Sequence, residues 1–146
     1  MTGGDIFAVT QVGAAAVQLG TAFLPCLEST ASAQHKEHIL HRSASETIYT
    51  TAFSGRPARG IRNAFIDRME GAQAVLEFPL QNTLTSQIRS KAVREGDGER
   101  QSLWVGTGYL KARERVSGKE GQLYLSVAEL MQQLKYEYHR ETLVHK

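Results

Sequence analysis

The sequence predicts a mixed α/β fold in which one buried strand precedes a mostly helical region. Residues 14–19 form a nearly continuous apolar segment, which suits a strand covered on both faces in a parallel sheet. Beyond Leu24, apolar residues recur at helical spacing between loops. The chain of 146 residues is long enough for about one domain. It is too short for a complete eight-fold β/α barrel, which typically needs about 250 residues.

Composition excludes a disordered chain and argues against nucleic-acid binding. Hydrophobic residues make up 41% of the sequence, and 17 Lys and Arg residues stand against 15 Asp and Glu residues. Basic residues are interleaved with an acidic residue in residues 111–115, which indicates a solvated face rather than a track for phosphates. The single cysteine, Cys26, rules out an internal disulfide and indicates a reduced, cytoplasmic setting.

An uncharged run over residues 6–27 raises the alternative of export or a membrane anchor. Ala31-Ser32-Ala33 resembles a cleavage site of small residues. However, the charge that precedes the run is Asp5, whereas a signal peptide has Lys or Arg there. We therefore expect no membrane association.

The first predicted elements are a short helix and the strand. The spacing of Ile6, Val9 and Val12 predicts a helix over residues 5–12 that ends near Gly13. The strand over residues 14–19 ends at Gly20-Thr21. Backbone N–H groups and a hydroxyl at such a turn favour an anion. A plain strand-end turn is the alternative.

Helices and loops alternate in the middle of the chain. Ser29 or Thr30 is expected to cap a helix over residues 34–40. Residues 47–53 have the β-branched and aromatic character of a short extended segment. The glycines and proline of residues 54–60 predict a loop.

Three further helices are predicted from apolar spacing. The first carries Ile61, Phe65 and Met69, and the second repeats this pattern from Leu80 to Ala92. Glycines mark turns after the second helix at residues 96–98, 106–108 and 118–121. The third helix starts at a capping box formed by Ser126 and Glu129, and its apolar face carries Leu130, Leu134 and Tyr138.

Three histidines at three-residue spacing, His35, His38 and His41, raise the question of a metal site. No acidic residue or fourth ligand continues this three-residue spacing, so we expect a solvated helix face and no metal. His139 and His145 lie in a polar tail.

Four ordered stretches carry a resemblance to a known family. They are GAAAVQLGTAFL (residues 13–24) followed by Glu28-Ser29, then FSGRPARGIRN (53–63), FPLQN (78–82) and LWVG (103–106). In this order and approximate spacing they resemble nitronate monooxygenases, flavoproteins also called 2-nitropropane dioxygenases. The resemblance covers about residues 3–112.

The resemblance implies the carboxy-terminal fragment of a β/α (TIM-type) barrel, with the last strand followed by a mostly helical extension. Residues 1–30 would end the FMN-binding barrel with strand 8 and its phosphate loop. Residues 31–112 would form the helical region of the same domain, and residues 113–146 the terminal helix and tail.

The family binds FMN non-covalently and oxidises alkyl nitronates with O2 to carbonyl compounds and nitrite. Carried over by position, the residues that approach the FMN phosphate are Gly3, Gly4, Gln18, Leu19, Gly20 and Thr21. The family's first six strands, its early glycine-rich flavin loop and its catalytic histidine match no part of this sequence. We therefore assign no catalytic residue and expect the missing barrel half as a partner. A non-catalytic fragment or a small helical interaction module is the alternative.

Overall fold

The computed structural model describes residues 2–41, 47–72, 75–116 and 124–144. Within these ranges the chain is a mixture of helices and strands that divides into two compact units. One unit comprises Met1–Thr30 and Gly108–Lys146, and the other comprises Ala31–Thr107. The predicted turn at residues 118–121 and His145 lie outside the described residues.

Helix α1 (Gly3–Gln11) opens the first unit close to the predicted position. The Thr2 hydroxyl accepts the N–H of Asp5, and the Asp5 carboxylate accepts the N–H of Thr2. This capping box satisfies two N–H groups that a helix leaves unpaired at its start. The chain leaves the helix through Gly13, whose φ of +97° is strained for any other residue type.

Helix α6 (Val127–Val144) packs along α1 and follows the predicted capping box. The Ser126 hydroxyl accepts the N–H of Glu129, and the Glu129 carboxylate accepts the N–H of Ser126. The apolar core of the unit forms here. Its buried members are Cys26, Leu130 and Leu134, against which Ile6, Leu19, Ala22, Phe23 and Val127 pack. Helix α5 (Leu110–Val116) belongs to the same unit.

The prediction of a strand over residues 14–19 is wrong. In the described part of the chain this segment joins no sheet, and Gly20 leads directly into a 3₁₀ turn over Thr21–Phe23. A strand is held by hydrogen bonds to a neighbouring strand, and the segment has no such neighbour among the described residues. Its run of alanines also has weak strand propensity.

The second unit contains an antiparallel pair, β1 (Thr47–Thr50) and β2 (Ala58–Ile61), with Thr47 opposite Ile61. The extended segment predicted at residues 47–53 is thus confirmed over its first four residues. The predicted loop over residues 54–60 is shorter than expected, because its end pairs as β2. Ile61 also donates its N–H to the Leu103 carbonyl, so it ends a strand instead of starting a helix.

Helix α2 (Ala33–Leu40) and helix α3 (Ala64–Glu70) both begin at caps that the sequence prediction missed. The Ser32 hydroxyl accepts the N–H of His35, so neither Ser29 nor Thr30 caps α2. The Asn63 side chain accepts the N–H of Ile66 and starts α3 three residues after the predicted position. Phe65 and Met69 pack on the buried cluster of Ala52, Phe53 and Ile66.

Helix α4 (Leu80–Glu95) is the long helix predicted after Pro79. It ends as predicted at Gly96, whose φ of +69° supplies the left-handed cap. Its buried residues are Gln81, Thr85 and Ala92. Only the last of these belongs to the apolar repeat that predicts the helix.

Candidate functional site

The loop over residues 18–21 lies partly exposed at the surface of the first unit. Gln18 and Gly20 are exposed, whereas Leu19 is partly buried against the apolar core. A Cβ atom built on Gly20 would meet no heavy atom within 4 Å. The loop therefore combines one apolar anchor with free space at its glycine.

The backbone polarity of this loop suits an anion. The carbonyl of Gly20 accepts the Phe23 N–H at 3.0 Å, and the carbonyl of Thr21 accepts the Leu24 N–H at 3.3 Å. These bonds turn the two carbonyl oxygens into the 3₁₀ turn, and the amino-terminal end of a helical turn carries N–H groups that favour anions. The arrangement can present N–H groups to a phosphate.

Gly3 and Gly4 lie in the first turn of α1, apart from this loop in their contacts. A Cβ on Gly3 would overlap atoms of Leu134, Glu137 and Tyr138, all on α6. Gly4 has more room, with the Glu141 side chain 3.7 Å from such a Cβ. The observed role of Gly3 is thus to let two helices approach closely.

The Glu137 side chain accepts a hydrogen bond from the N–H group of Gly3. Its carboxylate accepts that N–H at 2.6 Å and receives two more hydrogen bonds from Arg115, at 2.8 and 2.9 Å. Burial raises the pKa of Glu137, but the bonds from Arg115 and Gly3 outweigh it, and the pKa falls below its ordinary value of 4.5. An ionised carboxylate therefore stands at the start of α1.

The prediction that residues 111–115 form a solvated face is wrong at Arg115. Its side chain is only 9% exposed because it forms a forked pair with Glu137. Lys111 remains half exposed and lies 3.3 Å from Asp5. Alternation of charges in the sequence thus does not distinguish an exposed ion pair from a largely buried one.

An apolar cavity of about 480 Å³ adjoins the loop. Leu19, Ala16 and Val17 form part of its wall, and α6 contributes others, among them Tyr138 and His139. His139 therefore lines an apolar space, although the sequence places it in a polar tail. The cavity was not predicted, because its walls come from segments far apart in the sequence.

The histidine face predicted to be solvated is mostly buried. His35 and His38 are 8% and 9% exposed. Burial lowers the pKa of His35 below its ordinary value of 6.5. Nδ1 of His38 lies 2.6 Å from the Gln34 carbonyl oxygen, and its ring packs on Gly98. Within the described ranges, no three His, Cys, Asp or Glu side chains are grouped as metal ligands.

Two arginines of the FSGRPARGIRN stretch stack on aromatic rings. Arg56 lies 4.0 Å from the ring centre of Phe78, and Arg59 lies 4.0 Å from that of Tyr49. Arg59 also donates to the Thr47 hydroxyl at 3.1 Å. These contacts hold loop and strand together.

Within the described ranges, every helix is too short or too polar to span a lipid bilayer.

Comparison with known proteins gives consistent matches. The family model described as nitronate monooxygenase matches residues 1–134. A probable nitronate monooxygenase of Bacillus subtilis (strain 168) is 41% identical over 114 residues, which are 77% of this chain and 33% of that protein. One of Staphylococcus aureus (strain JH9) is 41% identical over 107 residues, or 73% of this chain and 30% of that protein. The chain thus spans about a third of the length of these curated relatives.

Solved structures agree with the sequence matches. A nitroalkane oxidase from Streptomyces ansochromogenes superposes with a TM-score of 0.86 at 36% identity, over 100% of this chain and 39% of that one. FabK from Thermotoga maritima gives 0.71 at 29% identity, over 97% of this chain and 42% of that one. Both are barrel-type enzymes, in agreement with the mixed α/β part of the expected fold class.

Proposed function

This chain belongs to the nitronate monooxygenase family, and from that membership we propose that residues 18–21 hold the phosphate of FMN in a flavin-dependent oxidoreductase. The observation that carries the proposal is the open space at Gly20 directly before the 3₁₀ turn. A phosphate needs room and N–H donors, and a side chain at Gly20 would remove the room.

Each residue of the loop has a separate part in the proposed site. Gly20 allows the phosphate to approach the backbone, and the Thr21 hydroxyl donates a hydrogen bond to a phosphate oxygen. Leu19 fixes the loop on the core cluster, so that the donors are positioned before the ligand arrives. Gln18 is exposed and contributes its N–H at the rim.

Gly3 and Gly4 fit a phosphate less well than the loop does. The Glu137 carboxylate already accepts the Gly3 N–H, and its negative charge would repel the phosphate at short range. We propose that Gly3 and Gly4 support the site indirectly, because close packing of α1 on α6 holds the core to which Leu19 is attached.

The proposed reaction is oxidation of an alkyl nitronate by O2 to a carbonyl compound and nitrite. FMN, when held by residues 18–21, would supply the redox chemistry between the substrate and O2. This chain contributes the phosphate anchor and orients the cofactor. We propose that the base and the remaining flavin contacts come from the part of the barrel that the curated relatives carry beyond the matched third.

The test is a titration of the purified chain with FMN and with riboflavin, which lacks the phosphate. We expect FMN to bind about tenfold or more tightly than riboflavin, because the charge-assisted hydrogen bonds to the phosphate are lost with riboflavin. The double variant Thr21→Val with Gly20→Ala should bind both ligands equally weakly. Thr30→Val, an exposed threonine in another loop, is the matched control. Equal affinities of the unaltered chain for FMN and riboflavin would overturn the phosphate assignment.

The reaction is tested separately by nitrite release from an alkyl nitronate in air. We expect nitrite when the chain is co-expressed with the barrel segment of a relative, and none from the chain alone. Nitrite from the chain alone would contradict the proposal that the base and the remaining flavin contacts lie outside this chain.

A further inference from the structure

We propose that His35 makes the packing of α2 sensitive to mild acid, because its ring fits the second unit only in the neutral form and protonation loosens the helix. The side chain is 8% exposed. The ring donates a hydrogen bond to the backbone of Trp104. Its Nε2 atom is buried and makes no hydrogen bond within the described residues.

These hydrogen bonds favour one protonation state of His35. A neutral imidazole has one N–H and one acceptor nitrogen, so it can donate to Trp104 through Nδ1 and leave Nε2 as an empty acceptor. An imidazolium carries an N–H on both nitrogens, and the second would be buried without an acceptor. The unpaired donor and the desolvated charge both penalise protonation in the folded chain.

Two other basic side chains of α2 are buried as well. Lys36 and His38 are each 9% exposed. Burial lowers the pKa of His35 most, and repulsion from His38 lowers it further, although the hydrogen bond to Trp104 raises it. A proton on His35 would therefore add positive charge to a helix that already buries basic groups.

The carboxylates on the neighbouring 3₁₀ turn are engaged elsewhere. This turn, Gly98–Arg100, packs against α2. Asp97 pairs with Arg100 at 3.2 Å, and Glu99 accepts a backbone N–H of α3 at 3.0 Å. No carboxylate in the described part of the chain contributes to the pKa of His35.

The remaining titratable side chains on α2 and on the strand beside Trp104 are exposed or stacked. Glu37 and His41 are exposed on α2. Strand β2 pairs with Trp104 through Gly60, and its Arg59 stacks on the ring of Tyr49. Protonated His35 would thus lack a counter-charge among the described residues.

The lowered pKa of His35 sets the pH range of the effect. Because the pKa is below its ordinary value of 6.5 only in the folded chain, opening of α2 takes up a proton as pH falls below that value. The open fraction should rise by up to about tenfold per pH unit until the folded pKa is reached. Glu137 does not contribute in this range, because its pKa lies below 4.5.

Hydrogen–deuterium exchange of the full chain at about pH 7.5 and about pH 5.5 tests the proposal, with protection factors corrected for the intrinsic pH dependence of exchange. We expect the protection of the α2 amides to fall several-fold, up to about tenfold, at the lower pH. The amides of α6 serve as the internal reference and should keep their protection. Protection of α2 that is the same at both pH values would overturn the proposal.

Substitution of single histidines assigns the effect to one ring. His35→Gln keeps an N–H that can donate to the Trp104 carbonyl but cannot be protonated, so the pH dependence should disappear. His41→Gln is the matched control, because His41 is an exposed histidine at the end of the same helix. It should retain the pH dependence. A His35→Gln chain that still loses protection in acid, or a His41→Gln chain that no longer does, contradicts the proposal.

NMR titration of the histidine ring protons in the unaltered chain decides the question even if His35→Gln does not fold. We expect the His35 resonance to titrate below its ordinary value of 6.5, over the range in which α2 loses protection. Titration of His35 at or above that value would overturn the proposal. None of these results depends on flavin binding.

Discussion

Helices α4 and α6 arise from the same sequence pattern, but α4 buries mainly polar residues whereas α6 buries leucines. In α6, Leu130 and Leu134 are 1% and 3% exposed and form the core of their unit. In α4, Leu80 and Leu84 have the same four-residue spacing and are more than half exposed. Apolar spacing thus predicts that a helix forms, but the surface against which it packs decides which face is buried.

The cause of the difference lies in what each helix packs against. The partner of α6 is α1, which offers apolar side chains and a glycine for close approach. The inner face of α4 meets the carbonyl oxygens of Ala52 and Phe53. Buried carbonyl oxygens need donors, so Gln81 and Thr85 are favoured there over leucine.

The largest expected effect is the loss of a core leucine from α6. Leu130→Ala should lower the free energy of unfolding by about 2–5 kcal/mol, through lost burial and a residual cavity. Leu84→Ala, the same substitution on α4, should change the stability of the monomer by less than about 0.5 kcal/mol. Urea unfolding at low protein concentration measures both. Similar losses for the two variants would contradict the contrast between the helices.

The close approach of α1 to α6 predicts the next effect. Gly3→Ala should cost about 1–3 kcal/mol, because the added methyl group meets backbone atoms of Leu134 and Tyr138 that cannot move independently. Gly20→Ala is the matched control, since its methyl group would enter open space. Thermal unfolding of the two variants compares them. A Gly3→Ala protein as stable as the control would refute the packing role of Gly3.

Removing a buried hydroxyl from α4 tests the polar contact on its inner face. Thr85→Val keeps the shape but leaves the buried Phe53 carbonyl without its donor, at a cost of about 1–2 kcal/mol. Thr83→Val, on the exposed part of the same helix, should be nearly neutral. If Thr85→Val were neutral or stabilising in urea unfolding, the polar contact would not fix the rotation of α4.

The smallest expected effect is the pH dependence that Glu137 contributes to α6. The pKa of Glu137 is lowered in the folded chain, so its contribution is complete above the unfolded value of about 4.5 and is lost as pH falls through the folded value. Glu137→Gln should therefore flatten the stability profile below about pH 5. Glu114→Gln, an exposed change, should not. Parallel profiles for Glu137→Gln and the unaltered chain would contradict the ion pair with Arg115.

Local sequence signals predicted much of the helical structure. The Ser126–Glu129 capping box and the left-handed Gly96 cap depend on neighbouring residues, and both are observed. The prediction of a strand over residues 14–19 was wrong, because a strand forms only by pairing with another strand, which can lie far away in the sequence. The burial of His35 and of Arg115 was missed for the same reason, since each depends on contacts with residues far away in the sequence.

Contacts between residues that are distant in the sequence also limited the prediction of the candidate site. The resemblance assigns Gly3 and Gly20 to one phosphate, whereas the structure gives them different surroundings, a helix contact for Gly3 and open space for Gly20. The carboxylate of Glu137 beside Gly3 lies more than a hundred residues away in the sequence, so no local signal indicates it.

The most direct test of the proposed phosphate site at residues 18–21 is a ³¹P NMR spectrum of FMN in the presence of the chain, because it observes the phosphate itself. We predict that the unaltered chain shifts or broadens the phosphate resonance and that the Thr21→Val and Gly20→Ala double variant does not. A resonance that the unaltered chain leaves unchanged under conditions where flavin fluorescence reports binding would contradict the assignment of residues 18–21 as the phosphate site.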